Sequence, residues 1–380
     1  MTGIALLTTQ GDAHARGLAH GRRFATEIAD NVATYLRRFA ASGLDRDQAF
    51  AEAERWLKAI VAQGASYAEE MHGIAKGSGQ SEETIALLNA RYELAFTLFG
   101  QEATNAAANQ AAPNAAEALA EIGPDGCTTF GLLPEATADR HTWLGQNWDW
   151  LEGVHGRTFV LRVRRTDKPS FVCLTEAGIA GGKMGLNECG IGLVENGLAS
   201  SHDGRNPYCA PFHMRCRQVL DAETFADALR PVTDTPRTCS ANFVIGQAGG
   251  KVVDLESSPD HVSHLRPEDG IVTHSNHFLT AGHGISLLEK AAPNTLHRVD
   301  RMRDLLQRHG GAISIAHMRA AATDHTGTPY AICRHPDAQQ PPARRTMTVG
   351  AVLIDLDARE MHVANGPPCE NEYMAFKIDG

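Results

Sequence analysis

No stretch of this 380-residue chain comes near about 18 unbroken apolar positions, so no transmembrane helix is expected. The N-terminus, Met1-Thr2-Gly3-Ile4-Ala5-Leu6-Leu7, has neither a basic n-region nor a full-length apolar core, and no signal peptide is read there. Basic runs are missing as well. With a formal net charge of -10, the composition favours solubility and makes nucleic acid a poor partner. Cysteine is present eight times but never as a C-x-x-C pair, so neither a zinc ribbon nor a thioredoxin motif is signalled. The glycine-rich stretch 178–192 contains no P-loop and no well-placed G-x-G-x-x-G, which sets aside nucleotide binding by that route. No internal repeat of solenoid or propeller period occurs. These exclusions leave a cytoplasmic chain with reduced thiols, without a membrane or nucleic-acid partner. Hydrophobic residues at 43% and charged residues at 21% describe a globular protein, long enough for one large domain or two ordinary ones.

Helical patterning fills the first part of the chain. Gly11 to Gly21 is glycine-punctuated, and then Phe24, Ile28, Val32, Leu36 and Phe39 recur as one apolar stripe. Asp45, followed by Gln48, reads as a capping box that opens a helix over 46–63. A further helix over 66–76 is expected to stop at Gly77. Ser81 with Glu82 and Glu83 opens another that reaches about Phe99. Residues 101–122 are rich in Asn, Ala and Gln and read as a mobile linker. Strand patterns then take over, over 142–150, 158–163, 170–175, 191–194 and 271–274. Hairpins are expected at 242–256 about Gly249-Gly250 and at 346–365. Helices return at 211–229, 296–306 and 314–322. The mixture predicts an α+β, layered αββα architecture with a largely helical N-terminal segment.

The stretch that concentrates chemistry is Gly123-Pro124-Asp125-Gly126-Cys127-Thr128-Thr129-Phe130. A Gly-Pro-Asp-Gly turn precedes a cysteine, and an apolar run suited to a buried strand follows it. A thiol there can reach the carbonyl of Gly126. That suits an enzyme which cuts its own backbone before Cys127 and then uses the freed α-amino group as the base for its thiol. The competing reading is a cysteine that merely packs in a strand.

The motifs GDAHARGLAHG, EEMHGIAKG, LLNARYELAF, DGCTTF, GQNWDW, TEAGIAGGKMGLNECGIGL, LESSP, THSNHF and YAICR follow one another between about residues 11 and 375. In this order the chain resembles the acyl-coenzyme A:6-aminopenicillanic acid acyltransferase family, a branch of the N-terminal-nucleophile hydrolases. The resemblance implies a four-layer αββα sandwich and self-cleavage between Gly126 and Cys127. It divides the chain into a 1–126 helical segment and a 127–380 segment that stay associated as one domain. Cys127 matches the nucleophile. Its ordinary thiol pKa of about 8.5 and an α-amino pKa of about 7.7–8.0 allow internal proton transfer at neutral pH. Asp149 matches the family's catalytic aspartate, Asn276 the oxyanion-hole asparagine, and Arg345 a family arginine, with Arg344 as its rival. Thr129 is read as an aid to autoprocessing beside Gly126, or as a plain strand threonine. Trp148 and Trp150 stand as walls of an acyl pocket or as core. His274 and His277 are set aside as a metal pair, and no metal or cofactor is expected. The implied substrate is a small N-acyl compound, hydrolysed or transferred through an S-acyl enzyme. The alternatives are acyl-CoA-dependent transfer of the penicillin-biosynthesis type and a cysteine hydrolase that never self-cleaves. Higher oligomers are compatible with this reading.

Overall fold

A computed structural model describes residues 3–98 and 126–379; the expected linker 101–122 and the turn Gly123-Pro124-Asp125 lie outside the described residues. Two stacked sheets form the middle of the molecule. The eight-stranded sheet runs in the order β1-β4-β5-β6-β7-β8-β9-β10, and the six-stranded sheet in the order β11-β2-β3-β12-β13-β14. Their labels follow the chain: β1 Leu6–Thr9, β2 Gly126–Leu132, β3 Trp143–Leu151, β4 Thr158–Val163, β5 Phe171–Glu176, β6 Met184–Asn187 and β7 Ile191–Gly197. The series continues with β8 Ala241–Gln247, β9 Lys251–Ser258, β10 His261–Leu265, β11 Ile271–His274, β12 Thr346–Asp355, β13 Glu360–Ala364 and β14 Met374–Lys377. Helices cover both outer faces, which completes an αββα sandwich. Strands β2, β3 and β12 are buried along their whole length, because each has a sheet on one side and helices on the other.

The helical N-terminal segment starts earlier than its glycines suggest. Ala13–Arg23 is a helix, α1, with Asp12 as its cap, where the sequence reads only as a glycine-punctuated stretch. The reason lies in its packing against α4, Ala65–Ser78. A Cβ on Gly17 would stand 1.9 Å from the carbonyl oxygen of Glu70, and one on Gly73 would stand 2.3 Å from that of His14. The two glycine motifs are therefore facing halves of one backbone-to-backbone contact, and the closeness of the helices outweighs the low helix propensity of glycine. Gly77 belongs to the same contact and stays helical. The helix ends instead at Gly79, whose φ of 73° supplies the left-handed cap.

Between them lie α2, Ala25–Ala40, and α3, Arg46–Gln63. The apolar stripe of α2 is buried at Ile28, Val32 and Phe39, and the Asp45–Gln48 capping box of α3 is formed on both sides. The following helix α5, Glu82–Asn89, is interrupted at Ala90 before helical turns resume over 91–98. The pattern over 211–229 also divides in two, into α6 (Phe212–Leu220) and α7 (Phe225–Thr233). On the far side of the six-stranded sheet sit α9 (Asn294–Gln307) and α10 (Ile315–Ala322); the short helix before them, α8, is Leu287–Ala291. Among the described residues, no helix is long and apolar enough to cross a membrane.

Candidate active site

Strand alternation decides which way each residue around Cys127 faces. In the β2–β3 ladder Gly126 pairs with Asp149 and Cys127 with Trp148. Cys127 and Trp148 contribute to the core cluster between the sheets. Gly126, Thr128 and Asp149 face the opposite way, toward the loops and helices that follow β11. The Cys127 thiol thus lies on one side of its strand and the Gly126–Asp149 pair on the other.

A buried polar cluster holds the backbone of Cys127. Its N–H donates to Asn276 Oδ1 at 2.9 Å. Arg298, buried on α9, donates from Nη2 to the same oxygen at 2.8 Å. Its Nη1 donates to the carbonyl oxygen of Cys127 at 2.6 Å and to Thr128 Oγ1 at 3.0 Å. Because a guanidinium can only donate, Arg298 fixes which end of the Asn276 amide carries oxygen. Asn276 Nδ2 then donates to the carbonyl of Gly197, at the end of β7, at 3.0 Å. The asparagine points its oxygen, not an N–H, at the Cys127 nitrogen. Any oxyanion donation by Asn276 would have to come from the second N–H of Nδ2.

On the other face, Asp149 is fully buried. Thr348 Oγ1 donates to its Oδ1 at 2.6 Å, and Arg334 Nε lies 3.4 Å from its Oδ2. Burial dominates over the neighbouring guanidiniums of Arg334 and Arg298 and pushes the Asp149 carboxyl up to about 6. Arg334 is also buried. Its Nη1 donates to Thr346 Oγ1 at 3.1 Å, and its guanidinium lies so close to Gly126 that a Cβ there would meet Nη2 at 2.1 Å. Any side chain at 126 would have to displace that guanidinium.

The arginine beside Asp149 is Arg334 rather than Arg345. Arg345 is partly exposed at the start of β12, where it donates to the carbonyls of Gln340 and Ala338 and faces Glu152 at 3.9 Å. Its rival Arg344 reaches the carbonyl of Ala41. Thr129 is also directed away from the Gly126 carbonyl. Alternation turns it toward the second sheet, where its hydroxyl donates to Asn196 Oδ1 at 2.7 Å. His274 pairs with Glu256 at 3.0 Å and His277 contacts Thr295 at 3.0 Å. Trp148 borders Cys127 across the ladder and carries the Lys183 ammonium 3.4 Å above its ring. Trp150, also buried, donates to Tyr35 Oη at 2.7 Å with the Arg91 guanidinium over its ring. Lys183 is buried, faces Glu195 at 3.5 Å and Glu176 at 3.8 Å, and has its pKa lowered, burial being the largest cause.

The model of the acyl-coenzyme A:6-aminopenicillanic acid acyl-transferase family matches residues 136–368, more than half of the chain. The chain belongs to this family. The matched span begins after Cys127 and includes Asp149, Asn276, Arg298 and Arg334. Over 369 residues the chain is 27% identical to the 40 kDa form of acyl-coenzyme A:6-aminopenicillanic-acid-acyltransferase from Emericella nidulans, covering 95% of this chain and 92% of that protein. Among solved structures it is similar to a mutant of the conjugated bile acid hydrolase of Clostridium perfringens. There the TM-score is 0.45 and the identity 13%, over 67% of this chain and 92% of that one. It is also similar to a Caenorhabditis elegans orthologue of N-acylethanolamine-hydrolyzing acid amidase, with a TM-score of 0.45 and 13% identity over 61% of this chain and 93% of that one.

Sequence reasoning misses Arg298, Arg334 and Thr348. Arg334 had a signal, since it closes the YAICR motif. Arg298 had none, because it stands in an ordinary helical stripe, and only the approach of α9 to β2 gives it a role.

Proposed function

We propose that the chain cuts itself before Cys127 and then works as a cysteine amidohydrolase or N-acyltransferase on a small N-acyl compound. The observation that carries this reading is the cluster formed by Asn276 and Arg298 around the backbone of Cys127. It holds the nitrogen that cleavage would convert from an amide to an amine, and holds it at 2.9 Å from a side-chain acceptor.

In the self-cleavage, the Cys127 sulfur attacks the Gly126 carbonyl carbon and its proton passes to the Cys127 nitrogen as the C–N bond breaks. The resulting thioester is hydrolysed by water, which leaves a Gly126 carboxylate and a free thiol. Gly126 is then no longer tied to Cys127 and can leave its ladder position opposite Asp149, beside the new amine. In turnover, the new amine takes the thiol proton and the thiolate attacks the substrate's acyl carbon. The oxyanion is held by Asn276 Nδ2, at a worth of about 3–4 kcal/mol for one such donor. The Cys127 ammonium gives that proton to the departing substrate amine as its C–N bond breaks; water or an acceptor amine then takes the acyl group from sulfur, and the proton it loses restores the thiol. Asp149 balances the ammonium, and Arg334 keeps Asp149 in place. Acyl transfer from acyl-CoA is a second reading, favoured by the similarity to the acyl-coenzyme A:6-aminopenicillanic-acid-acyltransferase of Emericella nidulans. It shares each of these residues. No cofactor enters either scheme, and both are compatible with a cytoplasmic enzyme.

The test is to trap the S-acyl enzyme. Acid quenching during turnover of an N-acyl substrate should leave the Cys127-bearing fragment heavier by one acyl group. Unchanged mass under burst conditions, with Cys127 still alkylatable, would refute the scheme. Turnover should also fall as pH drops through about 6 or somewhat below. Asp149 is a carboxylate above that value, and the new ammonium pulls it downward. An acid limb that stays flat until the fold itself is lost would remove Asp149 from the chemistry.

A further inference from the structure

Away from Cys127, four side chains converge where the loop between α10 and β12 meets the C-terminal segment. His325 and His335 bring their Nε2 atoms to 3.1 Å from each other. Cys333 and Cys369 bring their sulfurs to 3.5 Å. Across the pairs, His335 Nε2 lies 3.2 Å from Cys369 Sγ and 4.0 Å from Cys333 Sγ. All four donor atoms fall within 4.8 Å of one another.

These separations are close to the edges of a coordination tetrahedron. With Zn–S of about 2.3 Å and Zn–N of about 2.0–2.1 Å, the edges are about 3.8 Å for S–S, about 3.6 Å for S–N and about 3.3 Å for N–N. A disulfide requires sulfurs at about 2.05 Å, far shorter than the separation found. A second observation points the same way. His335 Nδ1 faces the Glu370 carboxylate at 3.5 Å, the outer partner that orients a metal-bound imidazole and leaves Nε2 for the ion.

We propose that His325, Cys333, His335 and Cys369 bind one zinc ion in a closed, structural Cys2His2 site. Zn²⁺ displaces the two thiol protons to solvent, so the ion, two thiolates and two neutral imidazoles sum to no net charge. Four protein ligands leave no open position, so the ion holds structure and does not activate water. It joins a loop to a chain segment more than thirty residues later. Two of its ligands, Cys333 and His335, flank Arg334, whose side chain lies against Asp149 and Gly126.

The experiment is metal analysis of the full-length protein purified with its thiols reduced, followed by replacement of zinc with cobalt. One zinc per chain is expected, and the cobalt form should show the intense ligand-field and thiolate charge-transfer bands of a tetrahedral S2N2 site. Cys369→Ser and His325→Ala should each lose the zinc and those bands. Cys189→Ser, outside the cluster, should keep both. Failure of the reduced, folded wild-type chain to hold stoichiometric zinc when zinc is supplied would overturn the proposal. So would retention of full zinc by Cys369→Ser together with His325→Ala, or a Cys333–Cys369 disulfide in protein prepared under the same reducing conditions.

Discussion

Cys127→Ala is expected to give a folded, full-length, inactive chain. The thiol is buried beside Trp148, and its loss removes one heavy atom from the core, at a cost of roughly 1 kcal/mol. The contacts of Arg298 and Asn276 go to the backbone of residue 127 and survive the change. Chemistry should respond very differently. Without sulfur there is no attack on Gly126, no free amine and no acyl acceptor, so turnover should drop by about a million-fold, as when other nucleophiles are removed. Intact mass, melting temperature and substrate turnover of one preparation separate these effects. A Cys127→Ala protein that still cleaves, or turns over substrate near the wild-type rate, would place the chemistry elsewhere.

Asp149→Asn should have the next largest effect, and on two quantities. The amide can still accept from Thr348, but it no longer balances Arg334, which is also buried. Breaking one side of a buried pair in this way costs about 3–5 kcal/mol, visible as a lower melting temperature. Turnover of whatever fraction becomes processed should fall by about 10³–10⁴-fold, because the ammonium of Cys127 loses its counter-charge. The double variant Asp149→Asn with Arg334→Met removes the buried guanidinium together with the carboxylate. It should recover part of the stability and none of the activity. A processed Asp149→Asn enzyme with wild-type turnover would reduce Asp149 to a structural partner of Arg334.

Much of the sandwich is legible in the sequence, because alternation and apolar stripes report directly on layered burial. The hairpins about Gly249-Gly250 and at the C-terminus appear as β8–β9 and β12–β13. The capping box at Asp45 marks its helix to the residue. What is not legible depends on elements meeting in space. The helix α1 looks like a broken stretch until α4 is set against it, since only that contact explains four glycines in two helices.

The site shows the same division. Cys127, Asp149 and Asn276 stand in short motifs, and the fold brings all three around one peptide unit. The arginine is another matter. Counting back from the last hairpin selects Arg345, but β12 begins just after that residue and leaves it at the edge. Arg334 reaches Asp149 because the preceding loop folds back onto β12, where its backbone exchanges bonds with Thr348. The four-ligand cluster escapes for a similar reason. Its spacing, His-x7-Cys-x-His with the last cysteine 34 residues on from His335, matches no common zinc pattern, and chain geometry alone assembles it.

The most direct test of the central claim is the intact mass and N-terminal sequence of active wild-type protein under denaturing conditions. Two species are predicted, one ending at Gly126 and one whose first residue is Cys127, and they should co-purify as a single folded particle until denatured. A preparation that turns over substrate while containing only the unbroken chain would contradict the account.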